Sequence, residues 1–261
     1  MNERIKRGED QLPLDHAIKA VYFDLGYTLI NFDGDFNHEV KESYRVLANS
    51  LRKARLPISA HDFAQRFSDV MGEYNRSRDI DLIERPVEQF LRQVLIEQNV
   101  IQQPPEIIQN ALEEMYRFTE KFWQLEPDAL VTLEQLRAAG YRLGLITNAA
   151  SADNANRLID QCKLRPYFEI ILISAVEKIR KPDVRIFQRA LGEMNLNADE
   201  AVMVGDTLSA DIQGAKNAGL RAVWLSRHAR QPETLFTRFT TQPDAEIKSL
   251  SELPLLLNRF S

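Results

Sequence analysis

The stretch VYFDLGYTLI, residues 21–30, decides how the fold is read. Val21, Tyr22 and Phe23 make a short apolar run, the pattern of a strand buried on both faces, and it leads straight into Asp24. A carboxylate at the end of a buried strand is costly unless something uses it. Gly26 and Thr28 follow at every second place.

Working outward, the chain changes character twice. From about 37 to 122 there is almost no strand signal and no glycine except Gly72. Helical spacing dominates, as in Val40, Tyr44, Leu47 and Leu51. Ser59 with Asp62 predicts a capping box, and Pro86 and Pro105 suit the first turns of two later helices. The segment reads as about four helices. After Glu126 and Pro127 the rhythm alternates. A helix carrying Leu130, Leu133 and Leu136 ends near Gly140, and the strands YRLGLIT, EIILIS, AVMVGD and LRAVWL are separated by helices over 151–162, 183–194 and 209–218. AEIKSLSELPLLL adds a short strand and helix. Strands alternating with helices predict an α/β fold: a Rossmann-like parallel sheet with helices on both faces. The expected organisation is a core of 18–32 and 127–261, an inserted all-helical cap of 33–126, and an N-terminal extension of 1–17.

Composition bounds the function. The chain has 261 residues, 44% hydrophobic and 27% charged, with a formal net charge of −5, which argues against a nucleic-acid partner. The single cysteine, Cys162, permits no internal disulfide and reads as a small buried hydrophobe. The first 16 residues lack the apolar centre of a secretory signal, and the longest apolar run, IILI at 170–173, is far too short to span a bilayer. The expectation is a cytoplasmic protein without a membrane partner; oligomeric state is not legible.

Open parallel sheets bind ligands beyond the carboxyl ends of their strands. Four predicted strands end in polar groups: Asp24, Thr147 with Asn148, Ser174, and Asp206. Asp24 and Asp206 brought close would repel, and a hard divalent cation such as Mg²⁺ between them removes that conflict. Asp211 either holds a metal-bound water or simply complements a helix N-terminus. Lys181 offers the positive charge a phosphoryl group needs, or is a solvated lysine before a proline. Thr147 can donate to a phosphate oxygen. GxGxxG, GxxxxGK[ST] and GxSxG are absent, and His16, His38, His61 and His228 lack zinc-ligand spacing.

FDLGYTL (23–29), LITNA (145–149), RKPDVRIF (180–187) and VGDTLSADIQGAKNAG (204–219) together resemble the haloacid dehalogenase-like hydrolases, in the subclass with a helical cap after the first motif. The resemblance implies that Asp24 is a nucleophile forming an aspartyl phosphate. It makes Thr147, Asn148 and Lys181 binders of a small phosphorylated substrate. It assigns a magnesium site to Asp24, the Gly26 carbonyl, Asp206 and Asp211. Position 26 departs from the pattern, because phosphatases of the family usually carry there a second Asp as general acid and base. Such catalysis contributes about 10²–10⁴-fold, or roughly 3–5 kcal/mol of barrier. The resemblance therefore implies a Mg²⁺-dependent phosphomonoester hydrolase, with a non-catalytic phospho-ligand binder as the alternative and a 2-haloacid dehalogenase or phosphonate hydrolase behind it. Asp33, His38 and Glu39 are the candidates for a replacement acid.

Overall fold

A computed structural model describes residues 18–228 and 241–260. The extension 1–17 with His16, residues 229–240 and Ser261 lie outside the described residues, so those parts of the expected organisation are not addressed.

The core is a six-stranded sheet in the order β5-β4-β1-β6-β7-β8, formed by β1 (Ala20–Phe23), β4 (Arg142–Thr147), β5 (Ile170–Ile173), β6 (Ala201–Gly205), β7 (Arg221–Leu225) and β8 (Ala245–Ile247). Every pairing is parallel. Strand periodicity divides each strand between two hydrophobic cores. Val21, Phe23, Leu143, Leu145, Val202, Val204 and Val223 face one, with α5 (Ala129–Ala138) and α6 (Ala152–Gln161) packed over them. Ala20, Tyr22, Ile146, Met203, Ala222 and Trp224 face the other, covered by α8 (Val184–Met194). Covering both faces is what lets the strands be apolar at every position. β1 lies centrally, between β4 and β6, where the strand order reverses direction; Asp24 follows its last residue.

Four helices stand between β1 and the rest of the core: α1 (Phe36–Lys53), α2 (Ala60–Asp81), α3 (Val87–Glu97) and α4 (Pro105–Glu120). They bury a hydrophobic core of their own, including Leu47, Leu51, Phe63, Phe67, Leu91, Val94 and Ile108. Ser59 caps α2 by accepting from the Asp62 amide at 3.4 Å. Pro105 is the first residue of α4, as expected, whereas Pro86 is the N-cap of α3, one residue earlier than its first turn. No helix among the described residues is long and apolar enough to cross a membrane.

Three local departures bear on function. The chain enters and leaves the helical insert through an antiparallel ribbon, β2 (Ile30–Phe32) with β3 (Trp123–Leu125), in the register Ile30↔Leu125 and Phe32↔Trp123. Three residues per strand are too few to show alternation in sequence. β5 stops at Ile173, and Ser174 opens a single helical turn, α7 (Ser174–Glu177). The helix expected over 209–218 begins as a π-helical turn, Leu208–Ile212, and continues as α9 (Gln213–Asn217). Single π turns of this kind are frequent at functional sites.

Candidate active site

β1 delivers Asp24 to the carboxyl edge of the sheet, and its amide continues the pairing by donating to the Val204 carbonyl at 3.0 Å. From the neighbouring side comes Lys181, only 1% exposed. Its Nζ donates to Asp24 Oδ1 at 2.6 Å and to the Ile146 carbonyl at 2.7 Å, and lies 2.6 Å from Asp211 Oδ1. The first two contacts are hydrogen bonds and the third is an ion pair, so the ammonium keeps a proton for a further acceptor. Asn148 clamps the lysine's backbone. Its Nδ2 donates to the Lys181 carbonyl and its Oδ1 accepts from the Lys181 amide, each at 2.9 Å. The Asn148 amide is thereby engaged with the protein, and the contact the structure gives it is the positioning of Lys181. Thr147 ends β4 beside β1 and is buried.

Asp206 and Asp211 arrive on the loop after β6. The Asp206 carbonyl accepts from Trp224 Nε1 at 2.8 Å, and Asp211 Oδ2 accepts from the Thr207 amide at 3.0 Å. Gly205 makes this turn possible. A Cβ at 205 would stand 2.3 Å from Asp211 Cγ and Oδ2, so only glycine lets the Asp211 carboxylate lie against the strand end.

Carboxylate oxygens of Asp24, Asp206 and Asp211 all lie within 4.8 Å of one another. Three carboxylates against one ammonium leave an excess of negative charge in a poorly solvated place. Burial pushes the Asp24 carboxyl up to about 6 against the opposing pull of Lys181, and burial with the Asp211 and Asp24 charges pushes Asp206 up to about 8. Burial alone would lower the Lys181 pKa; Asp211 and Asp24 reverse this and hold it above its ordinary value. A cluster of hard oxygen donors that lacks positive charge fits a divalent cation of the magnesium type.

Position 26 is faced by an aromatic ring from the ribbon. A Cβ on Gly26 would meet the indole of Trp123, 3.4 Å from Cη2 and 3.7 Å from Cζ3. The left-handed backbone of this loop falls at Tyr27, with φ 58°, and not at Gly26. The Tyr27 ring packs edge-on against Trp123 at 5.5 Å and His228 at 5.9 Å, and His228 Nε2 lies 2.5 Å from Glu126 Oε1. None of Trp123, Tyr27 or Glu126 was singled out in the sequence. The one available signal was FWQLEP at 122–127, two large aromatics in succession just before the chain rejoins the sheet. Asp33, His38 and Glu39 lie ahead of or at the start of α1, and the atoms a side chain at 26 would meet are those of Trp123.

A sequence model of haloacid dehalogenase-like hydrolases matches residues 18–219. The chain belongs to this family. Among curated relatives, a glyceraldehyde 3-phosphate phosphatase from Pyrococcus abyssi is 30% identical over 79% of this chain and 81% of its own. Among solved structures, a 2-haloacid dehalogenase from Pseudomonas syringae pv. Tomato superimposes with a TM-score of 0.67 at 28% identity, covering 94% of this chain and all of its own. An HAD phosphatase from Thermococcus onnurineus gives 0.62 at 25% identity, covering 92% and 98%. The protein is accordingly a hydrolase with the Rossmann-like core of its family.

Two predictions follow from the carboxylate cluster. Gly205→Ala should lower stability by about 1–3 kcal/mol through overpacking against Asp211. Gly192→Ala, in open space on α8, should leave stability unchanged or slightly raised. Thermal melts of the pair check this. The second concerns pH. Asp24 and Asp206 ionise at higher pH in the folded chain than in the unfolded one, so folding holds extra protons. Without metal their contribution is full below about pH 4 and is lost as pH rises through 6 and on past 8. The melting temperature of chelator-treated protein should therefore fall over that range. Asp206→Asn should flatten the fall, and Mg²⁺ should raise the melting temperature more at pH 8 than at pH 5.

Proposed function

We propose that the protein is a magnesium-dependent phosphatase of the cytoplasm, hydrolysing a small phosphorylated metabolite through an aspartyl phosphate on Asp24, with α1–α4 as the cap over the site. The observation that carries this reading is the Asp24 carboxylate at the centre of the sheet edge, held by the Lys181 ammonium at 2.6 Å and faced by Asp206 and Asp211. The curated relative named as a glyceraldehyde 3-phosphate phosphatase supports the reaction class. Mg²⁺ held by Asp24, Asp206 and the Gly26 carbonyl, with Asp211 behind, would supply charge neutralisation for the phosphoryl group.

The chain's own residues do the rest. Lys181 fixes the Asp24 carboxylate and keeps one of its oxygens hydrogen-bonded, so the other is left to attack phosphorus in line. A bond forms from that oxygen to phosphorus as the bond to the ester oxygen breaks, and the departing oxygen takes the electron pair. Water then attacks the aspartyl phosphate, restoring the carboxylate and releasing inorganic phosphate. Thr147 and Lys181 bear on the phosphoryl oxygens from β4 and the loop before α8. Asn148, assigned to substrate by the resemblance, contributes here by holding the Lys181 backbone. Gly26 donates no proton to the departing oxygen.

The name of the Pseudomonas syringae neighbour favours a dehalogenase as the second reading. Displacement of halide by a single carboxylate gives no use to two further acids beside it, and the Asp206–Asp211 pair is why the phosphatase reading is preferred. Gly26 keeps a third possibility distinct, a binder of phosphorylated ligands without turnover.

Asp24→Asn should fold as wild type yet lose at least 10³-fold of Mg²⁺-dependent phosphate release from an aryl phosphate, about the scale of a lost nucleophile. Near-wild-type activity in that variant would sink the assignment. Full activity in chelator would select the dehalogenase, and Mg²⁺-dependent phosphate binding without turnover would select the binder. For position 26, Gly26→Asp alone should gain less on alkyl phosphates than the same change with Trp123 cut back, because the indole lies in van der Waals contact with the Cβ position. Gly26→Asp with Trp123→Ala should recover part of the missing factor of about 10²–10⁴. Steady-state rates on a leaving-group series measure both.

A further inference from the structure

A side chain at 26 would project toward the indole of Trp123, at 3.4 Å. The family resemblance implies a general acid at that position in phosphatases, so a side chain there would stand near the departing oxygen. This chain gives up the acid and puts an aromatic ring in its place. We propose, resting on the phosphatase reading above, that Trp123 selects the leaving group, favouring phosphate esters whose ester oxygen is carried by a flat aromatic group.

Three features of the site support this. First, the ring is held in a fixed orientation. Trp123 is held by edge-on contacts with Tyr27, Phe32 and Phe36, at centroid distances of 5.5, 5.3 and 6.3 Å. It is also registered opposite Phe32 in the ribbon. A rigid aromatic wall gives up little conformational freedom when a second ring packs on it. Second, Trp123 is only partly buried, whereas the other tryptophan, Trp224, is wholly enclosed in the sheet core. Part of the Trp123 indole packs on the sheet core and part stays uncovered.

Third, the chemistry agrees with the shape. With no acid at Gly26, the departing oxygen leaves as an anion, and aryl oxides bear that charge far better than alkoxides. An aromatic leaving group thus satisfies both the missing proton donor and the ring that replaced it. Tyr27 extends the same wall. Its backbone takes the left-handed conformation, uncommon for a residue with a bulky side chain, and its ring stands between Trp123 and His228.

The test separates stacking from leaving ability. An aryl phosphate and a fluoroalkyl phosphate matched in leaving-group pKa are compared on wild type, Trp123→Phe and Trp123→Leu, with Mg²⁺ present. Wild type should favour the aryl ester by about tenfold in kcat/KM, mostly through KM, the scale of one aromatic pair. Trp123→Phe should retain part of the preference. Trp123→Leu should bring the ratio near one, with the aryl ester losing its advantage mainly in KM.

A wild-type ratio near one, or a ratio untouched by Trp123→Leu, overturns the proposal. A second arm needs neither turnover nor a variant. Benzylphosphonate should bind wild type more tightly than methylphosphonate and change the tryptophan emission, with Trp224 as a shielded constant background. Equal binding with unchanged emission also overturns the proposal. Should no ester be hydrolysed at all, the phosphatase reading fails, and this binding arm alone decides whether Trp123 selects an aromatic group.

Discussion

One ammonium holds the site together. Lys181 Nζ sits among Asp24, Asp211 and the Ile146 carbonyl in a place almost closed to water. A lysine buried so deeply is strongly unfavourable without partners, and a carboxylate at Asp24 is unfavourable without the lysine. Each makes the other tolerable, and the loops are arranged to keep them together. Asn148 grips the lysine's backbone from the end of β4, and Gly205 leaves room for Asp211 to reach it from the far side. Removing the lysine would leave these carboxylates without their buried counter-charge, whereas Asp211 still faces the lysine when Asp24 is made neutral. The ionisation of Asp24 and the stability of the sheet edge are therefore the same electrostatic problem.

Much of this was legible because it follows strand and helix periods. The apolar runs ending in Asp24, Thr147 and Asp206 predict a parallel sheet with its chemistry at one edge, and the structure puts those residues at that edge. The helical insert was equally plain from its spacing. What sequence could not supply were contacts between residues far apart in the chain with no periodic signature. The three-residue strands of the ribbon are too short to alternate, so Trp123 read as part of the insert rather than as a neighbour of Gly26. The glycine was noticed as a missing acid. That an indole 97 residues further on fills the gap is a fact of tertiary packing alone. The π turn before α9 was also invisible, since one extra residue in a helical turn leaves no mark on composition.

Ser174 shows the same limit from the other side. As a polar strand end it looked like part of the reacting edge. In the structure its hydroxyl accepts from the Ala149 amide at 2.9 Å and donates to Glu84 at 2.8 Å, and Glu84 also accepts from Tyr74 at 2.7 Å. Glu84 lies between α2 and α3, so a buried acid of the helical insert is satisfied by the loops of the sheet. The Arg180 amide donates to the Leu82 carbonyl, the Val87 amide to the Ala150 carbonyl, and Arg157 on α6 pairs with Glu120 on α4. The first two bonds fall on the segments that carry Thr147, Asn148 and Lys181, and the third on the helix that follows. The insert is thus more than a roof over a finished site. The loops that carry Asn148 and Lys181 complete part of their hydrogen bonding against the helices, so the geometry of the sheet edge and the position of the helices are set together. Trp123 lies on the ribbon joining the same two parts, so the ring that faces Gly26 is a third feature fixed by how the helices dock.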